Sequence, residues 1–462
     1  MRIRAFGQHL HLSIAALVAL ESILIFGCFI AGESILGHAP VWQLVRQNWI
    51  NGLLFSGIIV LNLLAFGLYS ARQRARAGGI AIRVIAAICA GITIISLFFY
   101  VIPVLRTDRG VIGIAIVLTL LCVAIARMAV YQVMDESLFK RRVLVYGSGR
   151  NAVSIGRLRR RSDRRGFEIV GFVQPDGEPC EISPELLRSY QRPLREICAQ
   201  HNVDEVVVAM DDRRRNFPIL ELLECRLAGI DVTELLTFLE RETGRVRIDV
   251  LNPSWLIFGE GFRRDTARLI TARGVDLAAS AIILLLTLPI MLLAALAIKI
   301  EDGLRAPVFY AQPRVGLGGR VFNVLKFRSM RTDAERNGAQ WATKGDTRVT
   351  RIGAFIRMCR IDELPQILCV FRGHMSFVGP RPERPQFVAE LSEKIPYYVQ
   401  RHCVKPGITG WAQLCYPYGS SEQDAMEKLQ YDLYYIKNNT LLFDLAILLQ
   451  TAEVVFMGKG AR

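Results

Sequence analysis

Asp362 and Glu363 stand side by side, directly before Leu364-Pro365. Proline suits the first turn of a helix, where its missing amide would be unpaired anyway. The pair therefore reads as a helix start with Asp362 as its cap. The positive end of such a helix favours an ionised carboxylate and an arriving phosphate. A carboxylate can attack phosphorus and form an acyl-phosphate intermediate. Attack by an anion on a diphosphate needs charge neutralisation. Mg²⁺ held by Glu363 would supply it, and Arg357 and Arg381 would clamp the phosphoryl oxygens. Taken alone, an Asp-Glu pair with nearby arginines is an ordinary solvated helix start, because catalytic carboxylates are the minority. The elements around the pair have to decide.

Those elements belong to a membrane protein. Of 462 residues, 52% are hydrophobic, and the net charge is +15. A soluble chain of this length is usually more polar. The charge favours acidic partners such as anionic lipid head groups and phosphates. The ten cysteines are scattered, with no CxxC pair and no zinc spacing, which argues against a disulfide framework. Four apolar runs are long enough to span a bilayer: Leu12–Ala31, Ile50–Tyr69, Ile80–Leu105 and Val111–Tyr131. Glu21, Asn62, Arg83 and Arg127 interrupt them. Nine basic residues (Arg2, Arg4, Arg72, Arg74, Arg76, Arg83, Lys140, Arg141, Arg142) flank one side, against three (Arg46, Arg106, Arg109) on the other. The imbalance puts both ends of a four-helix transmembrane bundle, residues 1–140, in the cytoplasm.

The pattern changes after Arg142. Val143–Tyr146 reads as a buried strand, and Gly147-Ser148-Gly149-Arg150-Asn151-Ala152 then opens a helix. Gly147, Gly149 and Ala152 fit the GxGxxA form of the dinucleotide fingerprint, whose helix amides point at a diphosphate. Further strands are expected at Glu168–Val173 and Asp204–Ala209. Helices are expected near Pro184–His201, divided at Pro193, and near Asn216–Ala228. Residues 141–250 thus form an α/β Rossmann-like domain. The turn alone leaves nucleotide binding open, and no acidic residue ends the second strand, which speaks against an active dehydrogenase.

Residues 251–274 read as a linker and membrane-surface segment. Val275–Ile300 is a fifth apolar run, broken by Pro289. Arg263, Arg264, Arg268 and Arg273 lie on one side and Lys299 and Arg305 on the other, so both ends belong to one face. Proline removes a helical hydrogen bond, so a kink is expected there, with Thr287 available to a freed carbonyl. The segment is expected to be re-entrant, entering one leaflet and returning, with residues 301–462 as a mainly α cytoplasmic domain.

From Arg305 onward ordered motifs accumulate. They are Pro307–Tyr310 with Gln312, Arg314, Gly316 and Gly319; Lys326-Phe327-Arg328-Ser329-Met330; Asp333/Glu335; Arg357; Arg360–Gln366; Gly373–Glu383; Lys405–Gln413; and Tyr431–Tyr435. This set resembles the bacterial polyprenyl-phosphate sugar-1-phosphate transferases, the monotopic phosphoglycosyltransferase superfamily, over about Arg263 to Gly458. The layout is similar to that of the larger members. Asn252–Trp255 and Arg381–Pro385 look most like members of exosortase-associated exopolysaccharide loci. Leu288-Pro289 stands where many members have Ser-Pro, and His374 where many have an acidic residue.

The resemblance implies Asp362 as nucleophile, Glu363 as the Mg²⁺ ligand, and Lys326, Arg328, Arg357 and Arg381 as phosphate-binding groups. It implies transfer of sugar-1-phosphate from a UDP-sugar to polyprenyl phosphate, with release of UMP, as the first step of exopolysaccharide assembly at the bacterial inner membrane. The partners are then a UDP-sugar, polyprenyl phosphate and the bilayer, with no nucleic acid; a homo-oligomer is left open. A membrane-bound nucleotide-sugar dehydratase or epimerase would need a second glycine fingerprint and a Tyr-x-x-x-Lys pair, and neither occurs after Leu251. A lipid-linked sugar transporter would need more spans.

Overall fold

The computed structural model describes residues 2–5, 8–37, 41–66, 68–69, 77–102, 107–133, 140–156, 158, 166–188, 192–214, 216–251, 253, 257, 261, 266–303, 305–331, 348–416, 419 and 421–456. Asp333, Glu335, Arg72, Arg74, Arg76, Arg106, Asn252, Ser254, Trp255, Arg263, Arg264 and Gly458 lie outside them. Two compact units form, one over Met1–Ala5 and His9–Asn252 and the other over Phe6–Gln8 and Pro253–Arg462.

The first unit begins with two short strands, β1 (Arg2–Ala5) and β2 (Gln8–His11). Four long helices follow: α1 (Leu12–Gly37), α2 (Val41–Ala65), α3 (Ala77–Val101) and α4 (Arg109–Val133). All four contain windows apolar and long enough to cross a membrane. One core joins them, with Ile25 and Phe29 of α1, Phe55 and Ile59 of α2, Ile88 of α3 and Ala115 of α4. Helix α2 starts nine residues before the apolar run at Ile50, because Gln43, Arg46, Gln47 and Asn48 are polar but compatible with helix. It kinks at Asn48, whose side chain donates to Glu33 at 2.9 Å. Two of the charges that interrupt the apolar runs, Glu21 and Arg127, pair with each other. Glu21 is fully buried and meets Arg127 at 2.8 Å and the Tyr69 hydroxyl. An unpaired charge there would carry a large desolvation cost.

Residues 141–250 form a five-stranded parallel sheet in the order β5-β4-β3-β6-β7. The strands are β3 (Arg141–Tyr146), β4 (Phe167–Val173), β5 (Leu187–Arg188), β6 (Glu205–Val208) and β7 (Asp231–Glu234). Helices α5 (Arg150–Gly156), α6 (Leu194–Gln200), α7 (Ile219–Leu227) and α8 (Leu235–Thr243) alternate with them. This is the doubly wound topology. Side chains of β3 alternate between its faces. Val143 and Val145 pack with Ala152, Ile155 and Phe238, whereas Leu144 and Tyr146 pack with Leu194, Ile197 and Leu222. Ser183-Pro184 opens only a short 3₁₀ turn, and α6 begins after Pro193.

The second unit begins with α9, which runs unbroken from Thr266 to Asp302 through Pro289. The expected linker therefore turns helical at Thr266, nine residues before Val275, and the helical run continues through Pro289. Thr287 Oγ donates to the Ile283 carbonyl at 2.7 Å, two residues before the Leu285 carbonyl that Pro289 frees. A β8–β9 hairpin (Phe309–Val315 and Val321–Phe327) follows. Then come α10 (Arg351–Met358), α11 (Gln366–Arg372), β10 (Ser376–Val378), α12 (Pro385–Lys394), β11 (Gly407–Thr409), α13 (Trp411–Cys415), α14 (Glu422–Lys437) and α15 (Leu441–Phe456).

In the middle domain, Glu205 is 1% exposed and bridges Arg141 and Arg241, and Glu242 shares both arginines. Replacing Glu205 by Gln leaves two largely buried guanidiniums to one carboxylate. The expected cost is about 3 kcal/mol, typical of a broken buried pair. Hydrogen exchange of the β3 and β6 amides should then quicken; unchanged rates would show that the cluster does not hold the sheet.

Candidate active site

The site forms where β9, a 3₁₀ turn and the segment after β10 converge. Lys326 lies next to the end of β9, paired in register with Tyr310. Arg360 takes a left-handed conformation (φ 59°) and turns the chain sharply after α10. Ile361–Glu363 then form one 3₁₀ turn before Pro365 and α11. Asp362 is therefore inside a tight turn and is not the cap of α11, a place held by Pro365. The left-handed residue is the physical reason: it breaks the chain one residue before the turn, which leaves Asp362 within it.

Glu363 is the hub. Its Oε1 lies 3.2 Å from Lys326 Nζ and 3.3 Å from Arg381 Nη2. Burial pushes this carboxyl up, but Arg381, Lys326 and Arg360 outweigh it and hold it at about 2. Lys326 is itself pulled down by burial, against the attraction of Glu363. Asp362 behaves oppositely. Burial and the Glu363 charge raise its carboxyl, and Lys326, Arg357 and Arg360 only partly offset them. Among the described residues its carboxylate has no hydrogen bond. Two adjacent acids thus differ in kind, one locked as an anion by two cations and the other a half-buried carboxylate without a hydrogen bond among the described residues.

Of the residues expected from sequence, Lys326, Asp362, Glu363 and Arg381 come together, and Arg357 acts on Asp362 through its charge. Arg328 is not joined to them by any described hydrogen bond; its Nε is buried without a partner among the described residues. Arg360, a motif residue to which the sequence gives no role, shapes the turn and adds positive charge. Further support comes from residues to which the sequence assigns no place in the site. Arg273 donates to the Val370 and Phe371 carbonyls at the end of α11, both at 2.7 Å. Asp276 accepts from the Ser376 hydroxyl and the Phe377 amide, both at 3.1 Å. Glu301 accepts from the first amides of α10, Arg351 and Ile352, at 2.8 and 3.0 Å.

A metal site of three or more His, Cys, Asp or Glu side chains is absent among the described residues. Magnesium does not need one, since it is commonly held by one or two carboxylates plus substrate phosphates and water. An ionised, mostly buried Glu363 beside Asp362 fits that donor set.

Gly147, Gly149 and Ala152 lie at the β3–α5 turn, as the fingerprint predicts. Gly147 has φ 142°, and a Cβ there would sit 2.5 Å from the Ala209 carbonyl oxygen. The amides that a diphosphate would use are already engaged. Arg150 and Asn151 donate to Asp211 at 2.9 and 2.8 Å, and Ser148 donates to Glu178 at 2.9 Å. The Asp211 amide donates to the same Glu178 carboxylate at 2.7 Å.

Comparison with known proteins bears on the second unit above all. A family model described as bacterial sugar transferase matches residues 267–458. A UDP-N-acetylgalactosamine-undecaprenyl-phosphate N-acetylgalactosaminephosphotransferase of Aeromonas hydrophila is 43% identical over 241 residues, covering 52% of this chain and 56% of the relative. An undecaprenyl-phosphate glucose phosphotransferase of Komagataeibacter xylinus is 33% identical over 70% of this chain and 60% of its own length. The chain thus spans a little over half of these two relatives. A UDP-glucose:undecaprenyl-phosphate glucose-1-phosphate transferase of Xanthomonas campestris pv. campestris is 33% identical over 379 residues, 77% of this chain and 76% of the relative. With a matching transferase model and a relative aligned over three quarters of both chains, this protein belongs to the bacterial sugar transferase family.

Proposed function

We propose that the chain transfers sugar-1-phosphate from a UDP-sugar to undecaprenyl phosphate, as the initiating step of exopolysaccharide assembly. The observation that carries this reading is the asymmetry of the acid pair: Glu363 is neutralised by Lys326 and Arg381, while the half-buried Asp362 beside it has no hydrogen bond among the described residues. A desolvated carboxylate beside a positive pocket is suited to attack an anionic phosphorus. An Asp362 oxygen attacks the β-phosphorus, and the bond from that phosphorus to the bridging oxygen breaks. UMP leaves with the bridging oxygen, and the phosphosugar remains as an aspartyl ester. A phosphate oxygen of undecaprenyl phosphate then attacks the same phosphorus and displaces Asp362. Arg381 and Lys326 face the non-bridging oxygens, with Arg357 and Arg328 as further phosphate-binding groups. Glu363 would hold Mg²⁺, which supplies charge neutralisation when bound.

The four N-terminal helices act as a transmembrane bundle with both ends in the cytoplasm, by the distribution of basic residues. Helix α9 is read as re-entrant. Its two ends touch the same catalytic body: Arg268 meets Asp444 at 3.1 Å and Asp276 meets β10, while Glu301 caps α10 at the other end. Between them Leu285, Leu286, Leu292 and Leu293 are exposed. A straight helix from Arg268 to Glu301 would be about 50 Å long, well beyond a ~30 Å hydrocarbon core. Spanning would set its ends on opposite sides of the bilayer, and one cytoplasmic body could not hold both.

Asp362→Asn is expected to abolish UMP release while leaving the thermal midpoint near wild type. Turnover at the wild-type rate would remove Asp362 from the role of nucleophile. Glu363→Gln is expected to raise the Mg²⁺ requirement at least tenfold or eliminate activity; a metal-dependence curve overlaying wild type would assign the ion elsewhere. Single cysteines near Arg268 and near Arg305, in a background without reactive native cysteines, should both resist an impermeant maleimide in intact cells and react after lysis. External labelling at Arg305 would mean that α9 spans.

A further inference from the structure

Arg381 has little backbone freedom of its own. Pro380 and Pro382 flank it, fix φ on both sides and remove two amide donors. Because Arg381 precedes a proline, it is also held out of the helical region. A segment so poor in donors must be located by what donates to it. All four carbonyls from Pro380 to Glu383 accept hydrogen bonds. Pro380 accepts from the Gly407 amide at 3.0 Å and Glu383 from the Val315 amide at 2.9 Å, which ties the segment to β11 and β8. Arg381 accepts from the Arg401 guanidinium at 3.1 Å, and Pro382 from the Arg314 guanidinium at 2.9 Å.

Neither guanidinium is a loose surface cation. Arg401 is buried and bonds Asp432 at 2.8 Å and the Tyr398 hydroxyl at 2.6 Å. Arg314 bonds Gln312 Oε1 at 2.6 and 3.0 Å and Glu383 at 3.4 Å. Each planar fork therefore has a fixed anchor on one side and a loop carbonyl on the other, a geometry that lysine's single ammonium does not reproduce.

We infer that Arg314 and Arg401 are positioning residues for the transfer reaction. They fix Pro380–Glu383 so that the Arg381 guanidinium stays on Glu363 and faces the diphosphate. The inference rests on the reading of this site as a sugar-phosphate transferase. Loss of either fork lets the Pro-Arg-Pro segment shift as a rigid piece, and a small displacement of a phosphate clamp lowers turnover.

The test is a pair of mutant cycles on the full-length chain in nanodiscs, read as single-turnover UMP release with UDP-N-acetylgalactosamine or UDP-glucose and undecaprenyl phosphate. Single-turnover rates keep slow variants measurable. Arg314→Lys, Arg401→Lys and Arg381→Lys are each expected to slow release about tenfold, and each double with Arg381→Lys to be within about twofold of Arg381→Lys alone. A general structural defect would instead multiply with the Arg381 effect. Should Arg401→Lys fail to fold, because it breaks a buried pair with Asp432, the Arg314 cycle stands by itself. Multiplicative losses, or wild-type release by Arg314→Lys, would overturn the positioning role while leaving the transferase reading intact. Wild-type release by Arg381→Lys would overturn the clamp, and the positioning role with it.

Discussion

Glu363 carries a full charge in a site that excludes most water, and much of the second unit follows from compensating it. A buried carboxylate is tolerated only with good ionic and hydrogen-bonded partners. Its partners come from separate places, Lys326 from the end of the hairpin and Arg381 from the segment after β10. Each must be held rigidly by something else. The hairpin register fixes Lys326, and donors from two strands and two arginines fix the Arg381 segment. With both cations spent on Glu363, the adjacent Asp362 is left desolvated and only partly compensated. The chemistry that follows is a consequence of how charge is distributed between neighbours in the chain.

Much of this was legible in the sequence, and the misses have physical causes. The helices near the N-terminus, the β3 fingerprint and the acid pair all declare themselves through local pattern. Strands β5 and β7 did not: Leu187-Arg188 is only two residues long, and Asp231–Glu234 carries acids at both ends of a four-residue strand. Their places are set by pairing with β4 and β6, not by hydrophobic alternation. Asp362 was expected to cap a helix because Leu364-Pro365 resembles a first turn. The left-handed Arg360 that draws Asp362 into a 3₁₀ turn has no residue-type signal, since arginine rarely adopts that conformation.

Through-space partners were the other hidden layer. Asp276 meets Ser376 across 100 residues, and Arg273 reaches the end of α11 across 97. In sequence these residues look like polar interruptions at the margin of an apolar run. In the fold they fasten that run to the catalytic body, and this is why α9 begins at Thr266 and not at Val275. Pro289 removes one hydrogen bond from α9, and the helix carries on through it, as membrane helices often do where neighbouring groups absorb the loss.

The turn after β3 shows what a binding motif becomes when its ligand is built in. Asp211 and Glu178 hang from the loops after β6 and β4, and they occupy the amides offered by the glycine turn. A tethered group competes at an effective concentration on the order of millimolar, and it cannot be diluted away. A free nucleotide would have to outcompete a resident that the polypeptide supplies at fixed stoichiometry. The same residents staple the three loops that follow the central strands β4, β3 and β6. A Cβ at Gly149 would lie 2.3 Å from the Asp211 carboxylate, so the glycine lets this carboxylate approach the turn closely. The fingerprint glycines thus sit in a turn that packs together the loops following three central strands.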